Sequence, residues 1–199
     1  MALELRNFET MLQDPRLKQS FSRKQLLSHF RIYQEHIIKL YQLEMALKEV
    51  DKATASYPWG EFSELRRRHA VTFNGTVLHE LYFEGLTGDV TEITPAVGEL
   101  ITRDFGSVKA WAEDLRASAR VGQWVLLTYS HPEKRLKQSV ITENHIGVPV
   151  NQTILIALDT WEHAWMVDYP GHIEDYLDVF MQHLNWSRVN LRLKLGVKT

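Results

Sequence analysis

Cysteine is absent from this chain. That absence excludes disulfides, thiolate zinc sites, iron–sulfur clusters and cysteine nucleophiles. Phosphate-cradling glycine loops are missing as well: neither GxGxxG nor GxxxxGK[ST] occurs, so nucleotide chemistry has no support. There is no GxSxG elbow and no HExxH helix, which removes the sequence marks of an α/β-hydrolase and of a zincin. No apolar run approaches the ~20 residues that span a bilayer. The first ten residues mix acids with apolar residues and show no secretory pattern, so a cytoplasmic location is the default expectation. A strong excess of one charge is lacking too. The formal net charge is -2, and the one basic run, Arg66-Arg67-Arg68, reads as a solvated helix face. Neither nucleic acid nor a membrane surface is an expected partner.

What remains is ordinary soluble composition: 199 residues, 44% hydrophobic and 24% charged, enough for one large domain or two small ones. With no thiolates, any metal must take nitrogen and oxygen ligands, and the nine histidines are the supply. The organising stretch is Leu158-Asp159-Thr160-Trp161-Glu162-His163-Ala164-Trp165. It follows an apolar run from Gln152 to Leu158 that reads as a buried strand. Asp159 and His163 stand four apart, so they share a face if the chain turns helical there. A carboxylate and an imidazole converging at the end of a buried strand suit a transition metal; an Asp beside a core-packed His is the plainer alternative.

The rest of the chain supplies possible partners. Residues 1–20 read as a loose lead-in. Ser22-Arg23-Lys24-Gln25 has the form of a capping box and predicts a helix start. Leu26, His29, Tyr33, Ile37 and Leu40 then recur at helical spacing, which puts His29 on the apolar stripe. After a turn at Ser56–Gly60, a second long helix is predicted from Glu61 to about Glu84, stopped by Gly85 and carrying His79 near its end. Gly75, one turn before His79, leaves room beside it or marks a close packing point. Residues 85–94 read as a linker, and Pro95 opens a helical region to about Arg120 that is interrupted at Gly106 and recapped by Ser107. Trp124–Tyr129 and Leu136–Thr142 predict a hairpin around His131-Pro132-Glu133-Lys134, with the run before Asp159 as a third strand. The chain after His163 reads as helical again, broken at Pro170-Gly171, with two closing helices around Asp175–Leu184 and Trp186–Lys194. The expected class is therefore α+β: a long N-terminal helical hairpin followed by a small three-stranded antiparallel sheet packed with helices. Two domains are expected, residues 1–90 and 91–199. His29, His79, Asp159 and His163 would together give three imidazoles and one carboxylate, a set that suits iron or manganese, and zinc shares these ligand types.

From about Leu17 to Leu193 the residues resemble the iron/manganese superoxide dismutase family. Asp159-Thr160-Trp161-Glu162-His163-Ala164 matches its D-x-W-E-H-A, and Leu184-Asn185-Trp186 its [IV]-N-W. His79-Glu80-Leu81-Tyr82-Phe83 is similar to its H-x-x-[FY]-[FW], and His29 matches the first ligand on a capped helix. Trp124 corresponds to the Trp on the first strand, and Glu143-Asn144-His145 to a stretch from which some members direct a His toward metal-bound solvent.

The resemblance implies one Fe or Mn ion per subunit on His29, His79, Asp159 and His163. It implies superoxide as substrate, with oxygen and hydrogen peroxide as products. It gives His145 the role of holding the solvent ligand, and Trp161, Trp124 and Phe83 that of a dry wall. It sends Glu162 across a subunit interface to a ligand His, in a homodimer or tetramer. Departures from the family pattern are also plain. Tyr33 stands where a His is usual, Ile37 where a Tyr lines the entrance, and Met166 where an interface Tyr pairs with that His. Ile173 replaces a funnel Arg, and Gly75 the Gln of many iron enzymes. Tyr33 is expected to supply a phenol in compensation. Losing a funnel cation should slow capture of an anion. A family-fold metal protein with weak or altered redox activity is thus the alternative function. A non-haem iron oxygenase, which needs an open coordination face, is disfavoured by a fourth protein ligand.

Overall fold

Apolar residues spaced at helical intervals, with polar caps at their starts, dictate most of the elements. A computed structural model describes residues 3–197. Its helices are α1 (Glu9–Gln13), α2 (Leu17–Ser20), α3 (Arg23–Glu49), α4 (Glu61–Glu84), α5 (Pro95–Phe105), α6 (Val108–Ser118), α7 (Ile173–Gln182) and α8 (Trp186–Val197). The strands β1 (Trp124–Ser130), β2 (Arg135–Ile141) and β3 (Gln152–Asp159) form one antiparallel sheet in the order β2-β1-β3. This is the α+β arrangement that the periodicities predict: α3 and α4 pack as a hairpin, and α4 and α8 lie against β3.

The lead-in is more ordered than its composition suggests. Phe8, Leu12, Leu17 and Phe21 are buried: α1 and α2 carry Leu12 and Leu17 onto the core, and Phe8 and Phe21 flank them. Asp14 Oδ1 accepts the Arg16 N–H at 2.8 Å, fixing the bend at Pro15. The Ser22 cap holds as predicted, its Oγ accepting the Gln25 N–H at 3.1 Å. The reciprocal half of the capping box does not form. Gln25 is buried, and its side chain donates from Nε2 to the His163 carbonyl at 2.6 Å and accepts the Val167 N–H at 3.1 Å. Asp168 Oδ2 takes the Ser22 N–H instead, at 2.6 Å. The first turn of α3 is thereby tied to the segment that follows β3.

α4 ends at Glu84, but not through a left-handed glycine. Gly85 has φ −76°, and its carbonyl accepts the Asn185 N–H at 2.7 Å while Leu86 bridges Leu184. The predicted linker therefore begins as a clasp between the helical hairpin and the C-terminal helices. Arg192 of α8 strengthens the same joint. It is buried and donates to the carbonyls of Leu155 in β3 and Leu81 in α4, both at 2.9 Å, and pairs with Glu84 at 3.2 Å.

Pro95 occupies the first turn of α5, Gly106 interrupts at φ +87°, and Ser107 caps α6 through the Ala110 N–H at 3.0 Å. In the sheet, Trp124 lies opposite Asp159 on one side and Ile141 on the other. The chain after His163 departs from expectation. It forms only a 3-10 turn, Glu162–Ala164, and further turns up to Gly171 at φ +77°, so α7 starts at Ile173. Most of the buried apolar side chains, from Phe8 to Leu193, make one cluster to which both halves contribute.

Replacing Gln25 by Ala leaves the His163 carbonyl and the Val167 N–H without their partner. A loss of about 1–3 kcal/mol is expected, seen as a thermal midpoint several degrees lower. An unchanged midpoint would show that Gln25 does not hold this joint.

Candidate metal centre

β3 delivers Asp159 to the bottom of the core, where the carboxyl group is fully buried. Its position is fixed from several directions. The Asp159 carbonyl accepts the Tyr176 hydroxyl at 2.6 Å, and Thr160 bonds Gln123 through its N–H at 3.0 Å and Gly122 through its hydroxyl at 2.8 Å. The two carboxylate oxygens then divide. Oδ1 accepts the Trp161 N–H at 2.9 Å. Oδ2 faces three imidazoles: Nε2 of His29 at 3.0 Å, of His163 at 3.1 Å and of His79 at 3.6 Å. The ligand atoms of His29, His79, Asp159 and His163 all lie within 4.8 Å of one another. The four-residue offset of Asp159 and His163 thus works as the sequence predicts, through a 3-10 turn rather than an α-helix.

The three separations from Asp159 Oδ2 fit a shared ion. Donors held about 2.1 Å from one metal and subtending about 90–120° stand roughly 3.0–3.6 Å apart. The strongest sign is His79. Its Nδ1 lies 2.6 Å from the Gly75 carbonyl, so in the neutral ring Nδ1–H donates there and Nε2 keeps its lone pair. That Nε2 is buried and has no partner among the described residues. An orphaned acceptor beside a buried carboxylate is costly unless a cation joins them.

Protonation states agree with ligand duty. Burial lowers the His79 imidazole to about 3, against the opposing pull of Asp159. Burial likewise lowers His29, although its hydrogen bond and attraction to Asp159 oppose the shift. For Asp159, burial would raise the carboxyl, but the field and hydrogen bond of His163 and the hydrogen bond from His29 outweigh it. The group lies below the usual carboxylate range. Neutral imidazoles and an ionised carboxylate are the forms that bind a metal.

Aromatic rings close the centre. Trp124 stands edge-on to His79 at 5.2 Å, Tyr82 and Phe83 pack on His29 at 4.7 and 4.9 Å, and Trp161 stacks on His163 at 6.2 Å. His163 is the exception to full burial, with 26% of its side chain exposed.

Other expected site residues lie elsewhere. The Tyr33 ring packs among Phe8, Phe30 and Phe83, and its hydroxyl donates to Glu80 at 2.9 Å while accepting the Arg6 N–H at 2.9 Å. That phenol is committed to the opposite side of α4 and does not compensate for the missing Tyr at Ile37, which is itself buried. His145 is exposed; the inward residue of its loop is Asn144, whose Oδ1 accepts the Trp124 indole N–H at 3.0 Å. Glu162 is exposed, with no side-chain partner among the described residues. One histidine beside the cluster is not among the expected site residues. His36 packs its ring on His79 at 5.2 Å. It stands seven residues beyond His29, two turns along the same helical face, and that spacing was the available signal.

With this geometry in view, the relatives of the chain are informative. Residues 93–192 match the family model for iron/manganese superoxide dismutases, C-terminal domain. A superoxide dismutase [Fe] of Cupriavidus metallidurans is 33% identical over 190 residues, covering 93% of this chain and 94% of that protein. A superoxide dismutase [Fe] of Aquifex pyrophilus is 30% identical, covering 92% and 89%. A superoxide dismutase [Mn] 2 of Haloferax volcanii is 32% identical over 146 residues, covering 70% and 72%. A buried carboxylate gathering three imidazoles from both halves of the chain and likeness along nearly its whole length lead to one conclusion: the chain belongs to the iron/manganese superoxide dismutase family.

Proposed function

We infer that this protein is a superoxide dismutase that converts superoxide to oxygen and hydrogen peroxide at one Fe or Mn ion per subunit, held by His29, His79, Asp159 and His163. The observation that carries this is the convergence of three Nε2 atoms on Asp159 Oδ2, one of them buried without any other partner. A bound Fe or Mn ion would alternate between two valence states, oxidising one superoxide and reducing a second as two protons are taken up. The chain's part is to hold the ligands and control their surroundings. Burial keeps the imidazoles of His29 and His79 neutral, and the fields and hydrogen bonds of His163 and His29 keep Asp159 ionised. Trp161, Trp124 and Phe83 exclude bulk water from three of the ligand rings.

The protein acts as a homodimer on this reading, with Glu162 reaching the partner's His163. Support comes from the exposed Glu162 carboxylate, unpaired among the described residues, the partly exposed His163 ring and the exposed apolar pair Met166 and Val167 on the same turn. Residues 1–90 and 91–199 are read as two units with the metal at their junction. The pairing of His29 and His79 from one with Asp159 and His163 from the other supports that division, as does the family match starting at residue 93. A cytoplasmic location is in keeping with the described helices, none of which is long and apolar enough to cross a membrane. A second reading, a family-fold metal protein with altered redox activity, is favoured by the Tyr33 phenol being tied to Glu80 and by Ile37 standing buried and apolar.

Purified protein is expected to hold close to one Fe or Mn per chain and to consume superoxide. Asp159→Ala and His79→Ala should lose the ion, with activity falling further than the roughly 10–100-fold that outer-sphere changes cost. Full metal occupancy without superoxide turnover would select the second reading. Metal-free protein should weaken as pH falls. An unfolded imidazole protonates near 6.5, whereas folded His79 resists down to about 3, so across that window the unfolded state binds more protons. The slope approaches about 1.4 kcal/mol per pH unit per imidazole, roughly 2–5 °C in thermal midpoint. A flat midpoint between pH 7 and 5 would contradict a buried, neutral His79. Glu162→Ala should shift the dimer toward monomer in sedimentation and weaken metal binding about 10–100-fold. A tight dimer with unchanged metal affinity would remove the cross-subunit role.

A further inference from the structure

Outside the metal cluster, one imidazole is held at both of its nitrogens. His183 caps the C-terminus of α7 and is only 5% exposed. Its Nδ1 lies 3.0 Å from the Thr87 carbonyl, in the segment that follows α4. Its Nε2 lies 2.8 Å from the hydroxyl oxygen of Ser20, the last residue of α2. Superoxide chemistry at the cluster calls on none of the three.

The carbonyl decides where the proton sits. A carbonyl oxygen only accepts, so Nδ1 carries the hydrogen and donates to Thr87. In the neutral ring Nε2 keeps its lone pair, and the Ser20 hydroxyl donates to it. Both ends are pinned. The Thr87 N–H returns a bond to the His183 carbonyl at 2.9 Å, and the Tyr169 hydroxyl donates to the Ser20 carbonyl. A hydroxyl aimed at a basic ring nitrogen, with the other nitrogen anchored, is the arrangement that makes serine a nucleophile. The C-terminus of α7 places partial negative charge beside the imidazolium that forms when Ser20 gives up its proton. His131 offers a contrast. Its Nε2 meets Thr153 Oγ1 at 2.9 Å, but no described residue anchors its Nδ1. Ser22 offers another: it is more exposed than Ser20, yet its Oγ accepts the Gln25 N–H and meets no imidazole.

We propose that Ser20 is a base-activated nucleophile that accepts the acyl group of small carboxylic esters, with His183 as its general base. Ser20 is partly exposed, which opens it to solvent and limits the size of the acyl group. Its Oγ forms a bond to the acyl carbon while its proton passes to His183 Nε2. The bond from that carbon to the ester oxygen breaks, and the alcohol leaves with the same proton. O-acylated Ser20 and a neutral His183 remain. The inference goes beyond the dismutase reading and depends on neither the metal nor superoxide.

The test treats the purified protein, as isolated, with a small alkyl fluorophosphonate. This probe undergoes the same attack, loses fluoride and leaves a stable adduct, which peptide mass mapping locates. Ser20 should be labelled at least tenfold faster than Ser22. His183→Gln keeps a donor for the Thr87 carbonyl and removes the basic nitrogen. It should slow Ser20 labelling about 100-fold, the lower end of what a positioned base supplies. Ser20→Ala should remove that adduct and leave superoxide consumption unchanged. An unlabelled Ser20, or Ser20 and Ser22 labelled at equal rates, would overturn the proposal; both are read on the original protein, whether or not the variant folds. Folded His183→Gln protein labelled at the original rate would overturn it as well, leaving His183 as a structural clasp.

Discussion

A single carboxylate oxygen at the buried end of β3 is the constraint on which the rest of the structure depends. An ionised Asp159 in a dry interior is tolerable only if donors or a cation surround it. His29 and His163 approach it as hydrogen-bonding neighbours, and His79 points a bare nitrogen at it. The surroundings serve that requirement. Tyr176 and Thr160 pin the strand end, Gln25 pins the turn that carries His163, and Gly75 orients His79 through its carbonyl. Each bond is modest, about 1 kcal/mol net, but each removes a freedom from a group that must arrive within a few tenths of an ångström.

The polar side of α4 illustrates how one helix serves two purposes. His79 faces the cluster, while Glu80 and Glu84 face away and collect Arg6, Tyr33 and Arg192. Burial raises the Glu80 carboxyl and the Tyr33 phenol, the latter to about 12, so the phenol stays protonated and acts as a donor in this network. The network braces the helix that presents His79. It also explains why a tyrosine four residues beyond His29 does not reach the centre: its hydroxyl is already engaged.

Much of this was legible in the sequence because the relevant signals are local. Ser22, Pro95, Gly106 and Ser107 mark helix boundaries by capping chemistry, and the β-rich runs before Asp159 and after Trp124 mark the strands. The four converging ligand residues were legible through the motifs that bracket them. The missed features share another cause: their roles are set by partners distant in the chain. Gln25 caps nothing locally because His163 and Val167 offer better partners 138 and 142 residues away. Asn144, rather than His145, turns inward because the Trp124 indole selects it. His36 gains meaning only once Gly75 of the facing helix makes room for it. Residues 1–20 read as a loose lead-in because their helices are short and owe their order to the core beneath them.

The clamp made by Arg192 has a consequence for how the protein matures. Its guanidinium grips Leu81, two residues past His79, and Leu155, four residues before Asp159, so the two ligand-bearing elements are braced by a helix near the far end of the chain. During synthesis, His29 and His79 emerge long before α8 exists. An ion captured at that stage would meet an unfinished cage and leave readily. The cage around the four ligands is therefore complete only once α8 has docked against α4 and β3.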